Sequence, residues 1–566
     1  VVEARLSASA QGVFQAYVNG AAASDDVLSP GWSSYEWRLR YRSYDVTSLV
    51  AGHDTVTLGM ALGNGWHRGR LGWNGNRNHY GSELGALAQL DVRFADGATQ
   101  TIGTDESWTA GPSDVLVNDL YDGETIDARL TSDAWLEPGF TGHSVGVHPA
   151  KFDPGTLTAY VGPPVRRMEE RRPVRIWTSP AGKTLVDFGQ NLVGWLKFTV
   201  SGAAGEEIVL KHAEVLEHDE LGTRPLRTAV ATDRLILSGG SDFLEPTFTF
   251  HGFRYAEITG WPGELTEDSL VAVVVHSDMQ RTGYFECSDE LLNQLHSNVV
   301  WGQRGNFVDV PTDCPQRDER LGWTGDLAAF APTAVFNYQV AGFLGDWLAD
   351  LAVEQTAARG MVPFAVPDLL KFEEHPTQFP APESTAVWSD AAVWVPWAMW
   401  QAYGDRPALA EAFPAMAAHV TRVETLVSAS GLWDRGFQFG DWLDPTAPPD
   451  EPFKAKADTG VVATACLYRS AVTTAAAAAV LGRGEEVEHF TARAEDTRRA
   501  FNEHYVTDAG RVLSDCPTVY ALAITFGLLE DPVRQRAGDR LAELVAGNGY
   551  RIATGFAGTP YISDAL

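Results

Sequence analysis

Residues 309–326 read DVPTDCPQRDERLGWTGD. Five carboxylates (Asp309, Asp313, Asp318, Glu319 and Asp326), two guanidinium groups (Arg317 and Arg320) and one indole (Trp323) share this stretch. Two prolines and two glycines forbid one long regular element in it. A charged loop between helices is commonly a solvated one whose Asp–Arg pairs fix its shape. Two features weigh against that here: apolar helical patterns anchor the loop on both sides, and it carries a tryptophan. The chemistry that suits such a set is cleavage of a glycosidic bond. One protonated carboxyl gives the leaving oxygen its proton, and a second carboxylate activates water or attacks directly. A carboxylic acid keeps its proton near neutral pH only where burial or neighbouring negative charge raises its pKa. Glu319, beside Asp318 and near Asp313 and Asp326, is the candidate, with Arg317 and Arg320 pulling the other way. The remaining Asp groups suit sugar hydroxyls, since each carboxylate accepts two or more O–H bonds. Trp323 offers a flat apolar wall for a pyranose face.

Further aromatics follow. Trp394, Trp397 and Trp400 stand three apart and stripe one helical face, which is core spacing. Trp388 precedes Ser389-Asp390 near a helix start, and core packing and a place in a pit are equally open to it. FQFGDWLDP sets Asp441 and Trp442 in a Gly/Pro-bounded loop, which suits the rim of a pit. The chain has no HExxH, no CxxC pair and no clustered histidines, so a catalytic zinc is not expected. It has no GxSxG and no P-loop. GNGWHRG fits a dinucleotide fingerprint only at Gly63 and Gly65 and is expected to be loop. His212, His251, His276 and His296 are scattered and read as structural. Cys287, Cys314, Cys466 and Cys516 are far apart and read as isolated thiols.

The 566 residues carry 43 Lys and Arg against 74 Asp and Glu, a net charge of −31. Such a surface repels phosphate backbones and anionic lipid, so nucleic acid and membrane are not expected partners, while neutral ligands are not penalised. No run of about 18 apolar residues is present. The N-terminus has no basic region before an apolar core, so a signal peptide is not expected and a cytoplasmic location is favoured. The chain does not begin with Met and starts as a strand already under way, so upstream sequence is expected. Nothing in the sequence addresses oligomeric state.

The elements that must position these residues divide into three parts. Residues 1–150 read as short strands with turns at Asn19-Gly20 and Asp96-Gly97, predicting a jelly-roll-like β-sandwich. VGPPVRRMEERRPV, at 161–174, reads as a linker, and residues 151–280 hold a second β-sandwich. From 281 to 566 the pattern is helical, with Ser288 as a cap and Leu291, Leu292, Leu295 and Val299 at helical spacing. Ten helical segments are expected, starting near 288, 324, 339, 386, 407, 457, 485, 517, 532 and 559. Consecutive hairpins of this kind close into an (α/α)6 toroid whose loops line a central pit. Six hairpins need twelve helices, so the toroid is expected to be incomplete at the C-terminus.

The acidic stretch, with FECSDELLNQLHSNVVWGQRGNF before it and WSDAAVWVPW, FGDWLDP and TGFAGTPY after it, resembles the bacterial α-L-rhamnosidases of glycoside hydrolase family 78. DFGQNLVGW and FTFHGFRY resemble that family's β-sandwich, and LGNGWHRGRLG and LYDGETIDAR its N-terminal sandwich. The resemblance implies exo-acting hydrolysis of terminal α-L-rhamnose with inversion. It implies Glu319 as the general acid and Asp313, Arg317, Trp323, Asp326, Trp388 and Trp442 as the residues that hold the sugar. The family's general base lies downstream of GTPY, so it is expected beyond Leu566. No cofactor is implied. Some members bind calcium in the N-terminal sandwich, and no residue here is assigned to it. A carbohydrate-binding protein or inactive fragment of such an enzyme, and a toroid glycosidase for a different sugar, are the alternative readings.

Overall fold

The computed structural model describes residues 1–142, 145–372 and 383–566. The chain forms two compact units, Val1–Gly322 and Trp323–Leu566. Among the described residues the first is mostly strand and the second mostly helix.

In the first unit a five-stranded sheet runs in the order Leu157–Ala159, Leu39–Asp45, Glu3–Gln11, Gly85–Arg93, Thr99–Gly103. A second sheet joins Ala21–Ala22, Val13–Val18 and Leu58–Gly63. Ala4, Leu6, Ala8 and Ala10 alternate inward from one strand and share a core with Phe14, Ala16, Val18 and Leu90. Asn19 and Gly20 both take positive φ, 51° and 83°, as the two-residue hairpin turn requires. Gly97 closes the other expected turn, its N–H donating to Phe94 O at 3.0 Å.

A ten-stranded sheet follows, with Val165–Arg171, Val271–Ser277, Thr184–Ser201, His251–Thr259, Glu207–Ala213, Thr232–Ile236, Gly123–Asp127 and Val115–Asp119 in that spatial order. The last two strands lie before residue 150 yet pair into this sheet, Thr125 lying opposite Arg234 in a parallel pair. A boundary at residue 150 therefore does not separate the sheets. The segment 161–174 is not a linker throughout, because Val165–Arg171 is an edge strand paired with Val271–Ser277. Its outward charges pair locally, Arg167 with Glu245 at 2.7 Å and Arg166 with Asp278 at 2.8 Å. Charge of this kind on an edge resists strand addition.

The helix Glu290–Asn306 also belongs to the first unit and leads into the acidic loop. Asp289, not Ser288, caps it, its carboxylate accepting from Leu291 N at 2.9 Å. Its helical period is as expected, but Leu291, Leu292 and Leu295 are exposed, and the buried residues are Val300, Gln303 and Gly305. GNGWHRG is not all loop, since Gly65–Arg68 forms one helical turn.

The second unit contains Thr324–Asn337, Ala341–Ala357, Ala391–Tyr403, Arg406–Glu424, Thr459–Leu481, Gly484–Tyr505, Pro517–Thr525, Val533–Gly547 and Ile562–Ala565. The start expected near 386 is displaced to Ala391, because Val387 takes φ 69° and 386–390 form a turn. Thr459–Leu481 is long and apolar enough to cross a membrane by length and mean composition, although Arg469, Ser470 and several threonines interrupt its apolar run. Most of its apolar window, 83%, is buried inside this unit, which marks it as a core helix.

Candidate active site

The predicted residues fall in both units: Asp313, Arg317 and Glu319 in the first, Trp323, Asp326, Trp388 and Trp442 in the second.

In the first unit Asp313 N donates to Leu321 O at 3.1 Å, and Leu321 N donates to Asp313 Oδ1 at 3.0 Å. These bonds close a small loop around residues 314–320. Glu319 sits on it only 8% exposed, with φ 121°, and Arg320 follows with φ 47°. Side chains at positive φ cost about 1–3 kcal/mol each, so such a pair persists only where its surroundings over-determine it. Three N–H bonds converge on Glu319 Oε2: Arg227 Nη2 at 2.7 Å, Arg317 Nη2 at 2.9 Å and Arg317 Nε at 3.2 Å. Arg317 Nη2 also reaches Asp313 Oδ2 at 3.2 Å, so one guanidinium spans both carboxylates. Burial, and then the neighbouring Glu319 charge, push the Asp313 pKa up to about 6.

The crowding of carboxylates noted in the sequence resolves into separate jobs. Asp309 is structural: Trp32 N donates to its Oδ2 at 2.6 Å and Arg40 Nη2 pairs with the same oxygen at 2.5 Å. The approach needs Gly31, where a Cβ would lie 2.1 Å from Asp309 Oδ1. Asp318 pairs with Arg227 Nε at 2.6 Å and accepts from Thr228 Oγ1 at 2.5 Å. Arg320, expected to oppose the protonation of Glu319, instead turns to the backbone. Its Nη1 donates to Leu120 O at 2.8 Å and Phe250 O at 2.9 Å. Arg227 supplies the second guanidinium. It is 92 residues from Glu319 in the chain, and only the Gly/Pro-bounded GTRPLRT around it hinted at a loop.

In the second unit Trp323 occupies the N-cap position of Thr324–Asn337, 8% exposed, and its backbone bridges to Ala365. Asp326 lies in the first turn of that helix, where a negative charge complements the helix dipole. Trp388 is 3% exposed and packs on Phe439 at 4.1 Å and Phe556 at 5.2 Å between ring centroids. Gly325 admits it, since a Cβ there would meet the indole at 2.5 Å. Among the described residues the buried Trp388 Nε1–H has no hydrogen-bond acceptor. Trp442 is half-buried, edge-on to Phe439 at 5.5 Å and stacked with Phe453 at 6.4 Å. Asp441 is fully buried rather than on a solvated rim. It accepts from Thr518 Oγ1 at 2.5 Å, Gly555 N at 2.8 Å and Gly558 N at 3.0 Å, which latches the Trp442 loop to residues 555–558. Asp390 likewise anchors the Trp388 turn through Val387 N at 2.8 Å, with His419 Nε2 at 3.0 Å and Ser470 Oγ at 2.5 Å. Trp394 is core as expected, its Nε1 donating to Ser470 Oγ at 2.9 Å.

Among the described residues two groups place three potential metal ligands within 4.8 Å of one another. Asp313, Cys314 and Glu319 are already neutralised by guanidinium groups, and burial holds the Cys314 thiol well above its ordinary pKa. That set suits a divalent cation poorly. His212, Asp233 and His251 are fully buried: His251 Nε2 lies 3.1 Å from both Asp233 oxygens, and His212 Nδ1 donates to Ala231 O at 3.1 Å. Neither group is an all-oxygen set of the kind calcium takes. Cys287, Cys314, Cys466 and Cys516 are free thiols.

The chain thus sets a β-rich unit carrying a buried carboxylate–guanidinium cluster before a helical unit. The family model "bacterial alpha-L-rhamnosidase 6 hairpin glycosidase domain" matches residues 280–566. The same family's N-terminal domain matches 1–169 and its concanavalin-like domain 178–276. The chain belongs to the bacterial α-L-rhamnosidase family. An α-L-rhamnosidase of Streptomyces avermitilis is 40% identical over the whole chain, which spans 53% of that relative. The crystal structure of native α-L-rhamnosidase from Aspergillus terreus is 41% identical with a TM-score of 0.95, and the match covers all of this chain and 65% of that one. The Streptomyces avermitilis enzyme complexed with L-rhamnose is 39% identical with a TM-score of 0.91, covering all of this chain and 53% of that one. The chain thus spans between half and two thirds of the length of these relatives.

Proposed function

We propose that this chain carries the proton-donating part of an exo-acting α-L-rhamnosidase that works with inversion, on a helical domain of (α/α)6 toroid type. The observation that carries the reading is Glu319: a buried carboxyl on a strained loop, next to a second carboxyl whose pKa is pushed to about 6, in a chain of this family. Glu319 passes its proton to the glycosidic oxygen as the C1–O bond breaks and the bonding pair goes to the aglycone. Arg227 and Arg317 hold the carboxyl in place through three N–H bonds and remain paired with the carboxylate left after transfer. The inverting route needs a second carboxylate about 6.5–9.5 Å away to activate water from the opposite face.

Asp313, Arg317 and Asp326 grip ring hydroxyls in this reading, and Trp323, Trp388 and Trp442 supply apolar surface for the C5 methyl. The Trp388 N–H supplies a donor for a hydroxyl. The substrate is a rhamnose-bearing glycoside or oligosaccharide, in keeping with relatives named α-L-rhamnosidase and one solved with L-rhamnose.

The test is hydrolysis of an aryl α-L-rhamnoside by the full-length protein, with the anomer of the first-formed rhamnose read by NMR. Release of the β-anomer, abolished by Glu319→Gln, is expected. Cleavage of a glucoside or mannoside in preference would overturn the substrate. Binding without hydrolysis would leave a carbohydrate-binding protein.

A further inference from the structure

We propose that Tyr121 is a positioning residue for Glu319, acting together with Arg320 as a clamp on the acid's backbone. The proposal rests on the reading of Glu319 as proton donor. LYDGETIDAR and LGNGWHRGRLG belong to the N-terminal part of the chain, far in sequence from the acidic loop, and the proposed chemistry uses neither. Both nevertheless converge on residue 319. The Tyr121 hydroxyl, 1% exposed, donates to the Glu319 carbonyl at 2.6 Å. Gly72 N in turn donates to that hydroxyl at 3.0 Å, and Gly72 and Glu319 form an isolated antiparallel bridge. The Arg320 guanidinium packs 4.9 Å from the centroids of both Tyr121 and Phe250 while donating to Leu120 O and Phe250 O. Asp119 fixes the turn that presents Tyr121, accepting from Tyr121 N at 2.9 Å and Arg70 N at 2.9 Å.

The reason for so many ties is the backbone itself. A glutamate at φ 121° followed by an arginine at φ 47° relaxes unless something holds it. Relaxation would swing the carboxyl away from the leaving oxygen, and a misplacement of about 1 Å can cost about 10²-fold. The tyrosine hydroxyl binds the strained peptide and not the carboxyl, so it sets where the proton is delivered.

The variant is Tyr121→Phe in the full-length protein, which keeps the ring under Arg320 and removes one hydroxyl. Two substrates are compared with Glu319→Gln alongside: an alkyl α-L-rhamnoside, whose leaving group must be protonated, and the 2,4-dinitrophenyl rhamnoside, whose leaving group departs as the anion. We expect Tyr121→Phe to lower kcat on the alkyl substrate by about 10-fold or more, with kcat on the dinitrophenyl substrate and both KM values within twofold. The melting temperature is expected to stay within a few degrees. Equal loss on both substrates marks a structural role and overturns the proposal, as does no loss on either. If Glu319→Gln shows no selective loss on the alkyl substrate, the assignment of Glu319 falls and the proposal falls with it. Selective loss in Glu319→Gln without it in Tyr121→Phe overturns the clamp alone.

Discussion

The first unit holds two buried acidic clusters that look alike in composition and differ in what surrounds them. Around Asp233 the partners are fully buried and fixed: His251, His212 stacked on it at 4.2 Å between ring centroids, and Glu124 N donating at 2.9 Å. Burial drives the His212 pKa down to about 3, so that imidazole stays neutral across the ordinary pH range. Around Glu319 the partners are arginines whose side chains are 40% and 35% exposed, the backbone is strained, and Asp313 titrates near 6. One cluster is finished by its own protein groups; the other is arranged to change charge. Buried polar residues alone do not mark a site; the Glu319 cluster differs in its strained backbone and half-exposed cationic partners.

The comparison can be broken in several ways. The largest expected effect is Glu319→Gln, a loss of about 10²–10⁴ in kcat on a poorly activated rhamnoside with little change in melting temperature. Its mirror is His251→Ala. It leaves Asp233 buried and uncompensated and is expected to cost about 3–5 kcal/mol of stability by denaturant titration, with kcat of the folded fraction unchanged. Loss of kcat without loss of stability there would erase the distinction between the clusters.

Asp313→Asn sharpens it through pH. A carboxyl whose folded pKa is raised to about 6 destabilises the native state above that pH, and the penalty is relieved as pH falls through 6 toward the ordinary value. The variant should therefore gain about 3 kcal/mol at pH 8 and little at pH 4, measured by thermal melts at both. The smallest effect is Arg227→Lys, which keeps the charge but loses the fork shared between Asp318 and Glu319. It should lower kcat about threefold to tenfold and leave stability within about 1 kcal/mol.

Much of this was legible in the sequence where the signal is local. Alternation in Glu3–Gln11, the Asn19-Gly20 turn and the helical starts near 324, 407, 485 and 517 all depend on neighbours a few residues apart. Asp313, Arg317 and Glu319 stand together because one short loop carries them. What escaped depends on distant pairing. Arg227 meets Glu319 only once the ten-stranded sheet has formed, and Tyr121 only once the 119–122 turn is tied by Asp119. Charge density likewise misled at 165–171, where a run of arginines and glutamates read as linker is an edge strand. Arg320 looked equivalent to Arg317, and nothing in spacing reveals that one guanidinium faces a carboxylate and the other two carbonyls.

The ion pair of Arg40 with Asp309 bears on protein engineering. Both side chains are about 1% exposed, so cutting away the first strands would strand a lone anion at the root of the acidic loop. Such a deletion forfeits about 3–5 kcal/mol before any packing is counted. The leading hundred residues are therefore no detachable accessory, and shortened versions that begin after them should come out of expression unfolded.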